Sequence, residues 1–363
     1  MVNMKIILSH YMPANGQEET GKKVLAVICS LVILASMAGC GAGKNVAEQT
    51  QGLSKTETTE TTKMTETTGT TELTQVTETT ETALEPASEE ITEIINTQVE
   101  ETEYQREDER EKQFIYLNSD WQYAGNSAIN SGCAVLYKVG GDRKNIIIGV
   151  NAGHGTSGGS SVKTLCHPDG SAKTTGGSTA AGATMATAVS GGMTFRDGTP
   201  ESQVTLRMAQ ILRDRLLEQG YDVLMIRDDE DVQLDNVART VICNNVANCH
   251  ISLHWDGDGL SYDKGCFYIS VPDALKGMEP VASHWQQHDA LGVSLITGLS
   301  DAGAKINGNG SMAIDLTQTS YSTVPSVDIE LGNACSDYSD TTLIMLADGL
   351  VAGINAFFPD NGN

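Results

Sequence analysis

The folded part of this 363-residue chain is predicted to be an α/β domain with a mainly parallel or mixed central sheet and helices on both faces. Three observations point there. Apolar strand-like runs alternate with amphipathic helical runs after residue 113, as expected of a layered α/β fold. One strand, Asn145 to Gly153, is almost wholly apolar, which suits a strand covered on both faces. Two apolar strands end in a histidine and a third in acidic residues, and α/β sheets gather ligands at the carboxyl ends of their strands.

The elements follow in order. "SGCAVLYKV" and "NIIIGVNAG" read as strands, followed by a stretch rich in Gly, Ser, Thr and Ala over residues 156–199, read as a long loop of the kind that sits over functional sites. Pro200 starts a helix whose apolar positions recur from Val204 to Leu217 and which Gly220 closes. "YDVLMIR" is the next strand, "VQLDNVARTVICNNV" a helix, and "CHISLHWD" a strand ending at His254. "CFYISV" is a further strand, "EPVASHWQQHDALGVSLITGLSDAG" a helix, "PSVDIELGN" a strand with acidic residues near its end, and "TTLIMLADGLVAGINAFF" the last helix.

The chain ahead of this domain has a different character. "KKVLAVICSLVILASMAGC" combines two lysines, an apolar run too short for a comfortable membrane span, and small residues ending at Cys40. "SMAGC" resembles a bacterial lipobox, which implies cleavage before Cys40 and lipidation of its thiol. Residues 1–40 are therefore expected to be a lipoprotein-type signal segment, the alternative being an uncleaved apolar anchor. Residues 41–112 are dominated by Thr and Glu; from Asn45 to Lys112 they hold 18 acidic against 5 basic side chains, about half of the chain's net charge of −24. Such a segment cannot bury enough apolar surface to offset its ordering entropy, and is expected to be a disordered tether with a reach of roughly 40–50 Å. Residues 113–363 form the expected catalytic domain, with an insertion over 156–199. Its acidic balance argues against nucleic acid as a partner. Its six cysteines form no CxxC pairs, so no zinc ribbon and no disulfide pairing is predicted.

Candidate ligands follow from the strand ends. His154 and His254 share one context, the end of an apolar strand at a Gly-rich turn. A lone histidine there is ordinarily a satisfied structural residue; two in one domain suggest a metal, because hydrolytic zinc takes three protein ligands, of which His2Glu is a recurring set. Glu201, in the first turn of the helix after the insertion, is placed to be the third, although the helix dipole alone favours an acid there. Glu330 ends an otherwise apolar strand, where an unpaired carboxylate is costly. It is read as a proton-transferring acid/base, against the plainer reading of a salt bridge to Arg227 or Arg239. Asp328, two residues earlier on the same face, is the rival acid. His167, inside the insertion, is assigned a surface or loop role.

The order GHG, then Glu201 before "TLRMAQILRDRLLEQGYDVLMIRD", then "ARTVICNN…ISLHWD", then "VPSVDIELGN" resembles the zinc-dependent N-acetylmuramoyl-L-alanine amidases of the amidase type 3 family, over roughly Asn145 to Phe358. The resemblance implies Zn2+ held by His154, Glu201 and His254, with Glu330 in catalysis. It further implies peptidoglycan as substrate, cut between N-acetylmuramic acid and the L-alanine of the stem peptide, and with Cys40 it implies an enzyme anchored on the outer face of the membrane. The alternatives are a zinc peptidase or carboxypeptidase on wall peptides, and a non-catalytic wall-binding domain. Three departures stand out: Asn151 replaces an Asp that supports the first ligand, "HWDGD" replaces His-x-Asn-Ala, and the 156–199 segment is much longer than usual. A lid role for that segment predicts that deleting residues 157–195 raises basal activity.

Overall fold

The computed structural model describes residues 111–359. The signal segment, Cys40 and nearly all of the Thr/Glu-rich tether lie outside the described residues. The first strand begins at Lys112, where the sequence places the end of the tether.

The described residues form ten strands and five α-helices. The strands are β1 (Lys112–Tyr116), β2 (Cys133–Tyr137), β3 (Ile147–Ala152), β4 (Lys163–Leu165), β5 (Met185–Thr187), β6 (Asp222–Met225), β7 (Cys249–Asp256), β8 (Cys266–Ser270), β9 (Ile306–Ala313) and β10 (Ser326–Asn333). The helices are α1 (Glu201–Glu218), α2 (Asn236–Val246), α3 (Val281–Asp301), α4 (Thr317–Tyr321) and α5 (Asp340–Phe357). Eight strands form one sheet in the order β1-β2-β6-β3-β7-β10-β8-β9, and β4 and β5 form a separate hairpin. β6, β3, β7 and β10 run parallel, whereas β1, β2 and β8 pair antiparallel, so the sheet is mixed, as predicted.

The central strands separate two chemistries by simple alternation, since successive side chains point to opposite faces. On one face Ile148 and Val150 of β3, Ile251 and Leu253 of β7, and Val327 and Ile329 of β10 join apolar residues of α1, α3 and α5 in the main core. The other face of the same strands carries Asn151, then His250, Ser252 and His254, then Ser326, Asp328 and Glu330. The register sets Glu330 beside His254, and both Asp328 and Asn151 beside Ser252. Next to this polar strip, β2, β6 and α2 close a second core through Leu136, Leu224, Ala238 and Ile242.

The 156–199 segment differs from the expected structureless loop. It contains the β4–β5 hairpin and buries Cys166, His167, Ala188 and Val189. β9 and α4 were also not anticipated.

Candidate metal centre

His154 stands two residues beyond β3 with φ 66°, a left-handed conformation that costs a non-glycine residue about 1 kcal/mol or more. Two buried guanidiniums hold it there. Arg239 donates to the His154 carbonyl at 2.6 Å, to the Asn151 side chain and to the Leu234 and Ala152 carbonyls. Arg227 donates to the carbonyls of Ala152, Gly153, Ser202 and Asp229. Burial pushes both guanidiniums down, Arg227 to about 10 and Arg239 to about 9. With their donors committed to this loop, neither reaches Glu330, so the expected alternative of a salt bridge is not found. Gly153 is required by close approach: a Cβ there would meet the His254 ring at 2.3 Å.

Three predicted ligands meet at the carboxyl edge of the sheet. His154 Nε2 lies 2.9 Å from Glu201 Oε1 and 3.1 Å from His254 Nδ1, and His254 Nδ1 lies 3.1 Å from Glu201 Oε1. β7 runs to Asp256, two residues past the expected end, so His254 is held inside a paired strand and not in the turn after it. Glu201 is the first residue of α1 and is only 2 % exposed. Its Oε1 accepts the Trp255 amide at 3.0 Å and its Oε2 accepts the Met193 amide at 2.7 Å. Burial opposes its ionisation, but hydrogen bonds and the charge of the two histidines hold its carboxyl far below the usual carboxylate range.

The donor set fits a zinc ion. His154 Nδ1 faces the Ser190 carbonyl at 2.9 Å and must carry its proton there, which leaves the Nε2 lone pair turned toward the other two ligand atoms. Donors about 2.1 Å from a tetrahedral zinc lie about 3.4 Å apart, and the observed spacings come within about half an ångström of that. Among the described residues these three form the one cluster of this kind. Around them the field is negative. Burial alone would push His254 down, yet Asp328 and Glu201 push it up to about 10.

Glu330 and Asp328 line the same cleft, whose volume is about 710 Å³. Glu330 Oε2 and Asp328 Oδ1 are buried with no hydrogen-bond partner among the described residues. Burial, then the neighbouring Asp328, raises Glu330 well above the usual carboxylate range, and burial raises Asp328 too. Asp328 Oδ2 is 3.7 Å from His254 Nε2, on the side of the ring away from the other ligands.

The insertion takes part in this centre. Its last turn supplies the Ser190 carbonyl that orients His154 and the Met193 amide that orients Glu201. Between them Gly192, at φ 81°, lies so close that a Cβ would sit 2.7 Å from His154 Cδ2 and 2.8 Å from Glu201 Oε2. Asn151 turns its side chain to other partners: its amide donates to Ser252 Oγ at 2.8 Å and its oxygen accepts from Arg239. His167 is not at the surface: it is fully buried and paired with Asp315 Oδ1 at 2.9 Å, tying the insertion to the segment between β9 and α4. Sequence reasoning missed Ser190, Gly192 and Met193 because two act through backbone atoms and the third through a missing side chain.

Two histidines and a glutamate at the carboxyl edge of a mixed α/β sheet, beside unpaired carboxylates, form a group that could hold a metal ion next to acid/base groups. Residues 148–348 match the family model described as N-acetylmuramoyl-L-alanine amidase, and the chain belongs to that family, whose members are amidases of peptidoglycan. No curated protein matches the chain. Similar solved structures include the apo form of the N-acetylmuramyl-L-alanine amidase Ami1 from Mycobacterium abscessus, at 22 % identity over 59 % of this chain and 99 % of that one, with a TM-score of 0.48. Ami1 from Mycobacterium smegmatis is 18 % identical over 60 % of this chain and 98 % of its own, with a TM-score of 0.49. The amidase from Clostridium difficile 630 is 16 % identical over 60 % and 98 %, with a TM-score of 0.43.

Proposed function

We propose that the protein is a zinc-dependent amidase that cuts between N-acetylmuramic acid and the L-alanine of the stem peptide, with His154, Glu201 and His254 holding the metal. The observation that carries this reading is the convergence of the three ligand atoms within 3.1 Å of one another. Bound there, zinc would supply Lewis acidity to the scissile carbonyl and to an attacking water. The Ser190 carbonyl keeps His154 in the tautomer that offers Nε2, and the Met193 and Trp255 amides orient the Glu201 carboxylate.

Glu330 is the acid/base of this proposal. Its Oε2 has no hydrogen-bond partner among the described residues, so in its ionised form it is free to take a proton from the attacking water and deliver it to the departing alanine nitrogen. The products are a carboxylic acid on the muramic acid lactyl group and a free alanine amine, which separates this activity from peptidase cleavage within the stem. Glu330→Gln should keep its zinc and lose hydrolysis by about 10²–10⁴-fold. Full activity in that variant removes Glu330 from the mechanism. Metal analysis of the purified protein, combined with release of stem peptide from purified peptidoglycan, tests the whole reading; a metal-free protein with unchanged release would sink it. The site is further proposed to work outside the cell, carried by lipid on Cys40 and the acidic tether. Cys40→Ala should then move the protein from the membrane fraction to the medium.

A further inference from the structure

We propose that Lys173 is a specificity-determining residue that binds a free carboxylate of the stem peptide in the cleft; this rests on the amidase reading above and adds a recognition element to it. Two basic residues line the cleft, Lys173 and Arg239, against the acidic Glu201, Asp256, Asp328 and Glu330. The donors of Arg239 are committed to Leu234, Asn151, Ala152, His154 and Thr156. That leaves Lys173, contributed by the insertion.

The Lys173 side chain is 6 % exposed, yet its ammonium makes one hydrogen bond, to the Asp315 carbonyl. The nearest carboxylate oxygen, Asp315 Oδ1, is 3.8 Å away, beyond hydrogen-bond reach. That carboxylate forms a charge pair with Lys173 but spends its hydrogen bonds elsewhere: it accepts from His167 Nε2 at 2.9 Å, from the Thr174 amide at 2.7 Å and from Thr174 Oγ1 at 3.0 Å. An ammonium has three donors, so two are unspent. Asp315 balances the Lys173 charge across 3.8 Å, but buried donors left without acceptors are costly unless a ligand supplies them. The backbone is fixed as well. The Lys173 amide donates to Ala183 O at 2.9 Å and its carbonyl accepts from Gly182 at 2.8 Å, so the ammonium is presented from a pinned segment.

The ligand this chemistry fits is a peptide carboxylate. A stem peptide with free carboxylates entering a cleft lined by Asp256, Asp328 and Glu330 meets like charge, and Lys173 supplies the compensating attraction along that wall. Charge-assisted contacts of this kind distinguish a carboxylate from its carboxamide by about tenfold or more.

The test uses the zinc-loaded protein and two muramoyl peptides that differ only in whether their side-chain and C-terminal carboxylates are free or amidated. Wild type should prefer the free form by about tenfold in kcat/KM, chiefly through KM. Lys173→Met should abolish that preference, and Lys173→Arg should restore most of it. Because the preference is a ratio, a partly unfolded variant does not distort it. Calorimetry in the Glu330→Gln background supplies a readout without turnover: the free-carboxylate peptide should bind about tenfold more weakly when Lys173→Met is added. An unchanged ratio and an unchanged Kd in the Lys173→Met proteins would overturn the proposal while leaving the amidase reading intact. Cleavage of neither peptide by wild type overturns the amidase reading itself.

Discussion

The ligand atoms are positioned as much by backbone groups around them as by their own elements. Glu201→Ala removes the one charged ligand and leaves two histidines facing each other, so zinc content measured on purified protein should fall to a small fraction of stoichiometric. Gly192→Ala is the subtler test. It keeps all three ligands but drives a methyl group against His154 and Glu201 at a position with φ 81°. Disturbing a support of this kind ordinarily costs about 10- to 100-fold in metal affinity, and a competition titration with a chelator should read a loss of that size. The three candidate ligands, which the structure brings together, were legible in the sequence from paired histidines at the ends of apolar strands and from the resemblance that singled out Glu201. Their supports were not, since Ser190 and Met193 contribute atoms that every residue possesses.

At the level of elements, the insertion behaves as a wall of the site. It is fastened by a buried cluster in which Asp315 accepts from His167 and from Thr174, and by the hairpin β4–β5. Asp315→Asn removes the charge from a group that is 0 % exposed and leaves its partners short of an acceptor, at a cost of roughly 2–4 kcal/mol. Limited proteolysis should then find new cleavage between residues 168 and 182, and thermal unfolding should begin earlier. Deleting residues 157–195 should lower zinc content and activity together, since the Ser190 and Met193 supports leave with the segment. Higher activity in that deletion would reinstate a lid. The insertion's structure was hidden in the sequence because Gly, Ser and Thr carry neither of the two hydrophobic periods, and β9, "INGNGSMA", was hidden for the same reason. β3 and β7, by contrast, were legible from their apolar runs, and α1 from its 3.6-residue repeat.

Across the whole molecule, stability and pH are linked through two histidines away from the ligands. His250 and His288 are buried, and burial pushes each down to about 3. The unfolded chain takes up protons below about pH 6.5 while the folded one does not until about 3. Their contribution is thus complete above pH 6.5 and is lost as the pH falls from there toward 3, at up to about 1.4 kcal/mol per pH unit for each histidine. His288→Gln isolates one of them: relative to wild type, its stability in urea should improve by about 2 kcal/mol between pH 7 and pH 5. A constant difference across that range would mean that His288 titrates normally in the fold. The two guanidiniums beneath the His154 loop carry a consequence of another kind. Arg227 and Arg239 fix that loop through bonds to protein atoms alone, so the conformational cost of assembling the centre is met during folding and not at metal uptake. The proposed zinc should therefore exchange from a folded vessel: treated with a chelator, the protein should keep its near-UV circular dichroism and take up added zinc without a refolding step.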